Sequence, residues 1–151
     1  MLPPLGLTGP GVRAATTHAD SSARTSDDRS PAKQARAEDV LRSGNDFVLS
    51  TQVMLELYSV ITRKFDPPLS GDEGAKILAG LRRFDVVAAD ADLVLRAAMT
   101  CTEHQVSIWD AMVVEAARLG GCSELWTEDL ADGAVLRGVR IINPFSEGWS
   151  A

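Results

Sequence analysis

From residue 31 onward, short apolar runs alternate with longer segments of helical periodicity, and this alternation restricts the fold more than any other feature. Strands are predicted in the apolar runs 47–49, 84–87, 124–127 and 138–142. Helices are predicted in the segments 31–43, 52–65, 70–83, 91–103 and 108–119. Serine and aspartate capping residues open most of these helices, and proline or glycine signals end them. Alternating strands and helices are typical of an α/β fold in three layers, with a largely parallel sheet flanked by helices.

The first thirty residues lack this pattern. They contain three prolines, three glycines and no aromatic residue, and no large apolar residue follows Val12. We expect residues 1–30 to be a disordered or non-native segment that arose from a misread start, a frameshift or a degenerate gene. Residues 31–145 are then the folded domain, and residues 146–151 a tail.

Composition excludes several classes of protein. The net charge of −6 argues against sequence-independent coating of nucleic acid, which needs a basic surface, but it is compatible with a metal-binding acidic site. Two cysteines and two histidines give no disulfide scaffold and no zinc spacing, so a reducing cytoplasm is the simplest location. No apolar run is long enough to span a membrane, and no signal peptide is predicted.

Three acidic positions stand out by their placement. In the helix 108–119, Asp110 shares an apolar stripe with Val113, Val114 and Ala117, whereas Glu115 and Arg118 mark the polar face. Glu56 borders the apolar arc of its helix, and Thr127-Glu128-Asp129 directly follows a strand. Taken singly, each has a local explanation: a capping or paired acid, a solvated edge residue and a turn.

Together, these acids point to one chemistry. An α/β fold brings helix starts and strand ends to the same edge of its sheet. Carboxylates gathered there repel one another unless a cation neutralises them, and Mg²⁺ or Mn²⁺ suits a set of oxygen ligands. Such acidic sites hydrolyse phosphodiesters, because the metal activates water and stabilises charge on the phosphate.

Four stretches resemble the PIN-domain family, and within it the VapC-like toxin nucleases of type II toxin–antitoxin pairs. Residues 50–64 resemble the helix with an inward glutamate, here Glu56, and residues 106–122 the acid-bearing helix, here Asp110. Residues 124–133 resemble the strand-end T-x-D motif, here Thr127 and Asp129, with Glu128 as a further candidate ligand. Residues 138–145 resemble the closing strand.

The resemblance begins in mid-domain. The family's first acid lies in a D-T-N-type motif at the end of a central strand, and residues 1–30 contain no such motif after an apolar run. The resemblance therefore implies an N-terminally truncated or altered member, whose sheet lacks its first strand and whose metal site lacks one carboxylate.

What the resemblance implies is a Mg²⁺- or Mn²⁺-dependent endoribonuclease toxin. Its ligands would be Glu56, Asp110, Asp129 and Glu128, with Thr127 positioning the substrate. Its partners would be RNA, a small antitoxin and, as an open alternative, a second copy of the chain. The rival hypothesis is a degenerate, non-catalytic protein that retains partner binding. A receiver-like signalling domain ranks third, because it would need an adjacent acid pair after the first strand and a late lysine.

A few other side chains receive ordinary structural interpretations. His104 is expected to end a helix as a dipole partner, and Trp109, Trp126 and Tyr58 are expected in the core. Arg63 and Lys64 could meet RNA phosphates, although a solvated helix end is the favoured interpretation. Leu55 is a candidate contact for an antitoxin or a second copy.

Overall fold

The computed structural model describes residues 13–15, 47–64 and 66–146. These ranges contain one sheet of six strands, namely β1 (Arg13–Ala15), β2 (Phe47–Ser50), β3 (Asp85–Val87), β4 (Glu124–Trp126), β5 (Val135–Leu136) and β6 (Val139–Ile142). They also contain four helices, namely α1 (Thr51–Arg63), α2 (Gly71–Leu81), α3 (Ala91–His104) and α4 (Ile108–Leu119). The predicted helix 31–43 lies outside the described residues. The α/β class with a largely parallel sheet is confirmed, and no described helix could cross a lipid bilayer.

A strand from the N-terminal segment occupies the centre of the sheet. The strand order is β3-β2-β1-β4-β6-β5, and β1 runs parallel to both of its neighbours, with Ala14 opposite Val48 and Leu125. The expectation that the sheet lacks its central strand is therefore wrong, because residues 13–15 form that strand. The sequence concealed this strand because its three residues, Arg13-Ala14-Ala15, include no large apolar side chain, and pairing on both sides supplies what local propensity does not.

The last two strands form a hairpin that the sequence pattern also concealed. β5 pairs antiparallel with β6, and the two residues between them, Arg137 and Gly138, both have positive φ (54° and 82°). Two positive φ values in a two-residue loop match the twist of a hairpin, but the favoured sequences are Asn-Gly and Asp-Gly. Because arginine occupies the first position, the sequence does not predict this turn.

The two faces of the sheet carry different cores. On one face, Val48, Leu125 and Ile141 pack with Val113, Val114 and Ala117 of α4. On the other face, the rings of Phe47 and Trp126 meet edge to face, with centroids 5.9 Å apart. Because neighbouring residues of a strand point to opposite faces, β2 and β4 each contribute to both cores.

The helix starts follow the capping pattern of the sequence. Ser50, Ser70, Asp90 and Ser107 are the N-caps of α1, α2, α3 and α4, and each side chain accepts a hydrogen bond from a backbone N–H of the first turn. Since Ser50 is also the last residue of β2, the chain passes from strand to helix without a loop. This junction fixes where α1 starts relative to the carboxyl edge of the sheet.

Candidate functional site

The carboxyl ends of the parallel strands meet at one edge of the sheet. β1 ends at Ala15, opposite Trp126 of β4, and Thr127 follows immediately. The backbone N–H of Thr127 donates to the carbonyl of Ile142 (2.9 Å), which continues the pairing with β6 by one residue. Side chains that leave this edge are therefore held on a rigid support, as in other open α/β sheets.

Asp110 faces this edge from the first turn of α4. The hydroxyl of Ser107 donates to Asp110 Oδ2 (2.6 Å) and accepts from the backbone N–H of Asp110 (3.1 Å). The half-buried carboxylate is thus fixed by its own helix cap, with Oδ1 outside that pair of bonds. Asp110 thus takes part in the helix cap through one carboxylate oxygen and also lines the recess described below.

Thr127 and Asp129 complete a recess with Asp110. Thr127 is buried, and its Oγ1 accepts a hydrogen bond from the backbone N–H of Asp129 (3.1 Å). This turn places Asp129 in the lining of a small recess of about 10 Å³, roughly the space that one water molecule needs. The recess is lined by Trp109, Asp110, Val113, Leu125, Thr127, Asp129 and Leu130. Glu128 is exposed and is not among these lining residues.

Glu56 approaches the same region through Gln52. The amide nitrogen of Gln52 lies 3.0 Å from Glu56 Oε1 and 3.4 Å from the carbonyl oxygen of Trp109, so one side chain joins α1 to the start of α4. The amide oxygen of Gln52 is buried and has no hydrogen-bond partner within the described part of the chain. An unsatisfied buried acceptor at this place favours a ligand or water that donates to it.

The donor set fits a largely hydrated Mg²⁺ or Mn²⁺ better than a fully protein-bound ion. Asp110, Thr127 and Asp129 offer oxygen atoms, and Mg²⁺ commonly binds one or two carboxylates and keeps several waters. Among the described residues, however, no group of three or more acidic, histidine or cysteine side chains lies close enough to share an ion. The central strand itself, Arg13–Ala15, contains no acid.

A buried carboxylate outside the recess was missed by the sequence analysis. Glu115 is 0% exposed, although the helix pattern placed it on the polar face of α4. Its Oε1 accepts from Thr100 Oγ1 (2.6 Å) and Arg137 Nε (3.0 Å), and its Oε2 accepts from Arg118 Nε (2.9 Å). Burial opposes ionisation, but these hydrogen bonds and the nearby arginine charge outweigh it and hold the pKa of Glu115 below its usual range.

The aromatic residues that the sequence predicted to lie in the core differ in their burial. Trp126 is buried (3% exposed), as expected, whereas Trp109 is 61% exposed and is not a core residue. Tyr58 is half-buried and packs against Gly74, which leaves no room for a side chain there. His104 lies in the last turn of α3, where it was expected.

Comparison with known proteins agrees with the fold. The structure is similar to a toxin–antitoxin complex from Klebsiella pneumoniae (TM-score 0.57, 18% identity, 74% of this chain and 85% of that one). It is also similar to VapC20 from Mycobacterium tuberculosis, described as a sarcin–ricin loop cleaving toxin (0.52, 18%, 75% and 86%). A third match is VapBC2 from Rickettsia felis bound to a fragment of its promoter DNA (0.51, 13%, 86% and 96%).

The sequence comparisons identify the family. No curated protein matches the chain. The model of the PIN domain matches residues 21–131, which include Glu56, Asp110 and Asp129 and begin after the central strand β1. A match over more than half of the sequence, together with the α/β fold shared with VapC toxins, assigns the chain: it belongs to the PIN domain family.

Proposed function

We propose that the protein is a toxin-type endoribonuclease that uses Mg²⁺ or Mn²⁺ bound at the recess between α4 and the end of β4. The observation that carries this proposal is the recess itself, because Asp110 of α4 meets Thr127 and Asp129 of the turn after β4 there, and these two separate segments line one opening. Membership of the PIN family and the shared fold of VapC toxins support RNA as the substrate class.

Each residue of the proposed site has a role that follows from its position. Asp110 and Asp129 hold the ion, and Thr127 fixes the turn that presents Asp129 and positions the substrate. Glu56, oriented by Gln52, acts on the α1 side of the site, and the exposed Glu128 stands next to Asp129, outside the recess lining. When bound, the ion supplies an activated water and stabilises charge on the phosphate.

The similar structures also suggest protein partners for this chain. Two of the similar structures are toxin–antitoxin complexes, so we propose a small antitoxin that inhibits the protein in the cytoplasm. Leu55 is 70% exposed on α1, so we propose it as a contact for this inhibitor or for a second copy of the chain.

Substitution of Asp110 tests the proposed function. Asp110→Asn keeps an oxygen that accepts from Ser107 but removes the charge, so we expect unchanged melting and loss of Mn²⁺-dependent RNA cleavage. The loss should be about 100-fold or more, because removing a residue that merely supports a metal ligand already costs roughly 10- to 100-fold. Asp92→Asn, at an exposed acid in the first turn of α3, is the control and should cleave like the wild type. Equal cleavage by Asp110→Asn would refute the site.

A second candidate is a non-catalytic PIN protein that retains partner binding. The described central strand, Arg13–Ala15, has no acid, and this favours the second candidate because the strand itself then gives the ion no carboxylate. A thermal melt separates the candidates, since an ion that binds the folded state raises the melting temperature. The proposed nuclease predicts a rise with Mn²⁺ in the wild type and none in Asp110→Asn. No rise in either protein would favour the non-catalytic candidate.

A further inference from the structure

Trp109 is largely exposed to solvent, although its large apolar side chain would gain free energy from burial. Burying this side chain would remove 150–250 Å² of apolar surface from water, yet 61% of it remains accessible. It precedes Asp110 and lines the same recess as Asp110 and Asp129. The indole is therefore the large apolar surface beside the proposed cleavage site.

The backbone beneath Trp109 is fixed on both sides. The Ser107 cap holds the first turn of α4, and the amide nitrogen of Gln52 lies 3.4 Å from the carbonyl oxygen of Trp109. On such a support, only the two side-chain torsions of the indole remain to be ordered when a ligand binds, so the entropy cost of binding is small.

Charge limits how this protein can hold RNA. The chain carries 21 acidic and 15 basic residues, and the recess itself presents carboxylates, so phosphate contacts contribute less than in a basic nuclease. Stacking of a base on an aromatic ring needs no positive charge and works for any unpaired base. An exposed indole beside the acids therefore supplies affinity for RNA that phosphate contacts do not supply in an acidic protein.

We infer that Trp109 is a stacking platform for an unpaired base next to the phosphate that is cut. This inference rests on the proposed function, because it takes RNA as the substrate. It makes Trp109 a substrate-positioning residue, and it implies a preference for single-stranded segments or loops over duplex, since a paired base offers no free face.

The test is binding of short fluorescent oligoribonucleotides, measured by anisotropy in Ca²⁺, together with cleavage in Mn²⁺. Trp109→Ala should weaken single-strand binding about 10-fold and raise KM with little change in kcat, a loss typical of one stacked base. Trp109→Phe should restore most of the affinity. Leu95→Ala is the matched control, because Leu95 is 66% exposed on α3 and does not line the recess. It should bind like the wild type.

The outcomes separate this inference from the function on which it rests. If the wild type binds or cleaves RNA and Trp109→Ala does so equally well, the stacking role is refuted while the nuclease stands. If the wild type neither binds nor cleaves RNA, both are refuted. If Trp109→Ala changes only the oligomeric state in sedimentation, with RNA affinity intact, Trp109 is a contact between copies and the inference is overturned. Unchanged melting of Trp109→Ala excludes misfolding as the cause of any loss.

Discussion

Glu115 joins three parts of the molecule through one carboxylate. Thr100 reaches it from α3, Arg118 from its own helix and Arg137 from the β5–β6 turn, where Arg137 also pairs with Glu103 (3.3 Å). The two arginine side chains are about one-third exposed, so water screens part of their attraction to Glu115. The carboxylate itself is fully buried, and its loss would leave the Thr100 hydroxyl without its acceptor.

We expect Glu115→Gln to lower the free energy of unfolding by about 2 kcal/mol near neutral pH. Breaking a buried ion pair costs about 3–5 kcal/mol, and the value is reduced here because the arginines can regain water. The folded-state pKa of Glu115 is depressed, so its contribution is present above the ordinary value of 4.5 and is lost as pH falls through the folded pKa. The gap between the two proteins should therefore close in acid. Urea unfolding across this range measures it, and a gap that does not depend on pH would contradict the assignment.

Individual residues differ in how far their sequence context predicts them. Asp110 was predictable as an inward acid, because its position on the apolar stripe of α4 depends only on helix geometry. Glu115 and Trp109 were not, because their surroundings come from distant segments: Thr100 and Arg137 lie 15 and 22 residues from Glu115. The periodicity of a helix assigns residues to its polar or apolar face. Only the tertiary fold decides that the polar Glu115 is buried and that the indole of Trp109 is exposed.

Two glycines in helical surroundings make a matched pair. A Cβ at Gly120, the C-cap of α4, would lie 2.6 Å from Val48 Cγ1, and Val48 is itself held in the core of the sheet. A Cβ at Gly80, inside α2, would meet nothing within 4 Å. The same substitution therefore has opposite expected effects at the ends of two elements.

We expect Gly120→Ala to destabilise the protein by about 1–3 kcal/mol, because Val48 or the end of α4 must move. Gly80→Ala should stabilise it by about 0.5–1 kcal/mol, because alanine restricts the unfolded chain without strain. The midpoints of urea unfolding measure both effects. Stabilisation of both variants would show that α4 does not pack on β2 as closely as described.

The elements themselves were predictable to different degrees. Helices α1 to α4 begin at capping residues that are visible in the sequence, so local hydrogen bonding predicts where they start. The short strands β1 and β5 have no such signal: β1 lacks large side chains and β5 depends on an Arg-Gly turn. Both form because neighbouring strands complete their hydrogen bonds. The resemblance to PIN domains supplied the place of the candidate site but not the presence of β1.

Across the whole molecule, β1 holds the two halves of the sheet together. Among the described strands it alone pairs with both β2 and β4, so β3-β2 and β4-β6-β5 meet through it. The halves carry different parts of the site, since α1 with Glu56 follows β2 and the Thr127–Asp129 turn follows β4. Loss of β1 would therefore separate the acids as well as open the sheet.

Proline at position 14 tests this arrangement. Ala14→Pro removes a donor from a strand paired on both sides, and we expect a loss of about 3 kcal/mol or more, comparable with proline inside a helix. That is a large part of the roughly 5–15 kcal/mol that stabilises a typical domain. Ala91→Pro is the matched control, because Ala91 is the first residue of α3 and its preceding residue, Asp90, is already extended. If Ala14→Pro melted like the wild type, β1 would not belong to the sheet.

The central position of β1 also has a consequence for biosynthesis. Ala15 faces Trp126 in the finished sheet, but about 110 residues separate them along the chain. At roughly 5–20 residues per second, a ribosome needs on the order of 5–20 seconds to deliver the second strand after the first. During that interval β1 has an unmatched edge open to other chains and to chaperones. The yield of folded protein should therefore respond to the speed at which the intervening codons are translated.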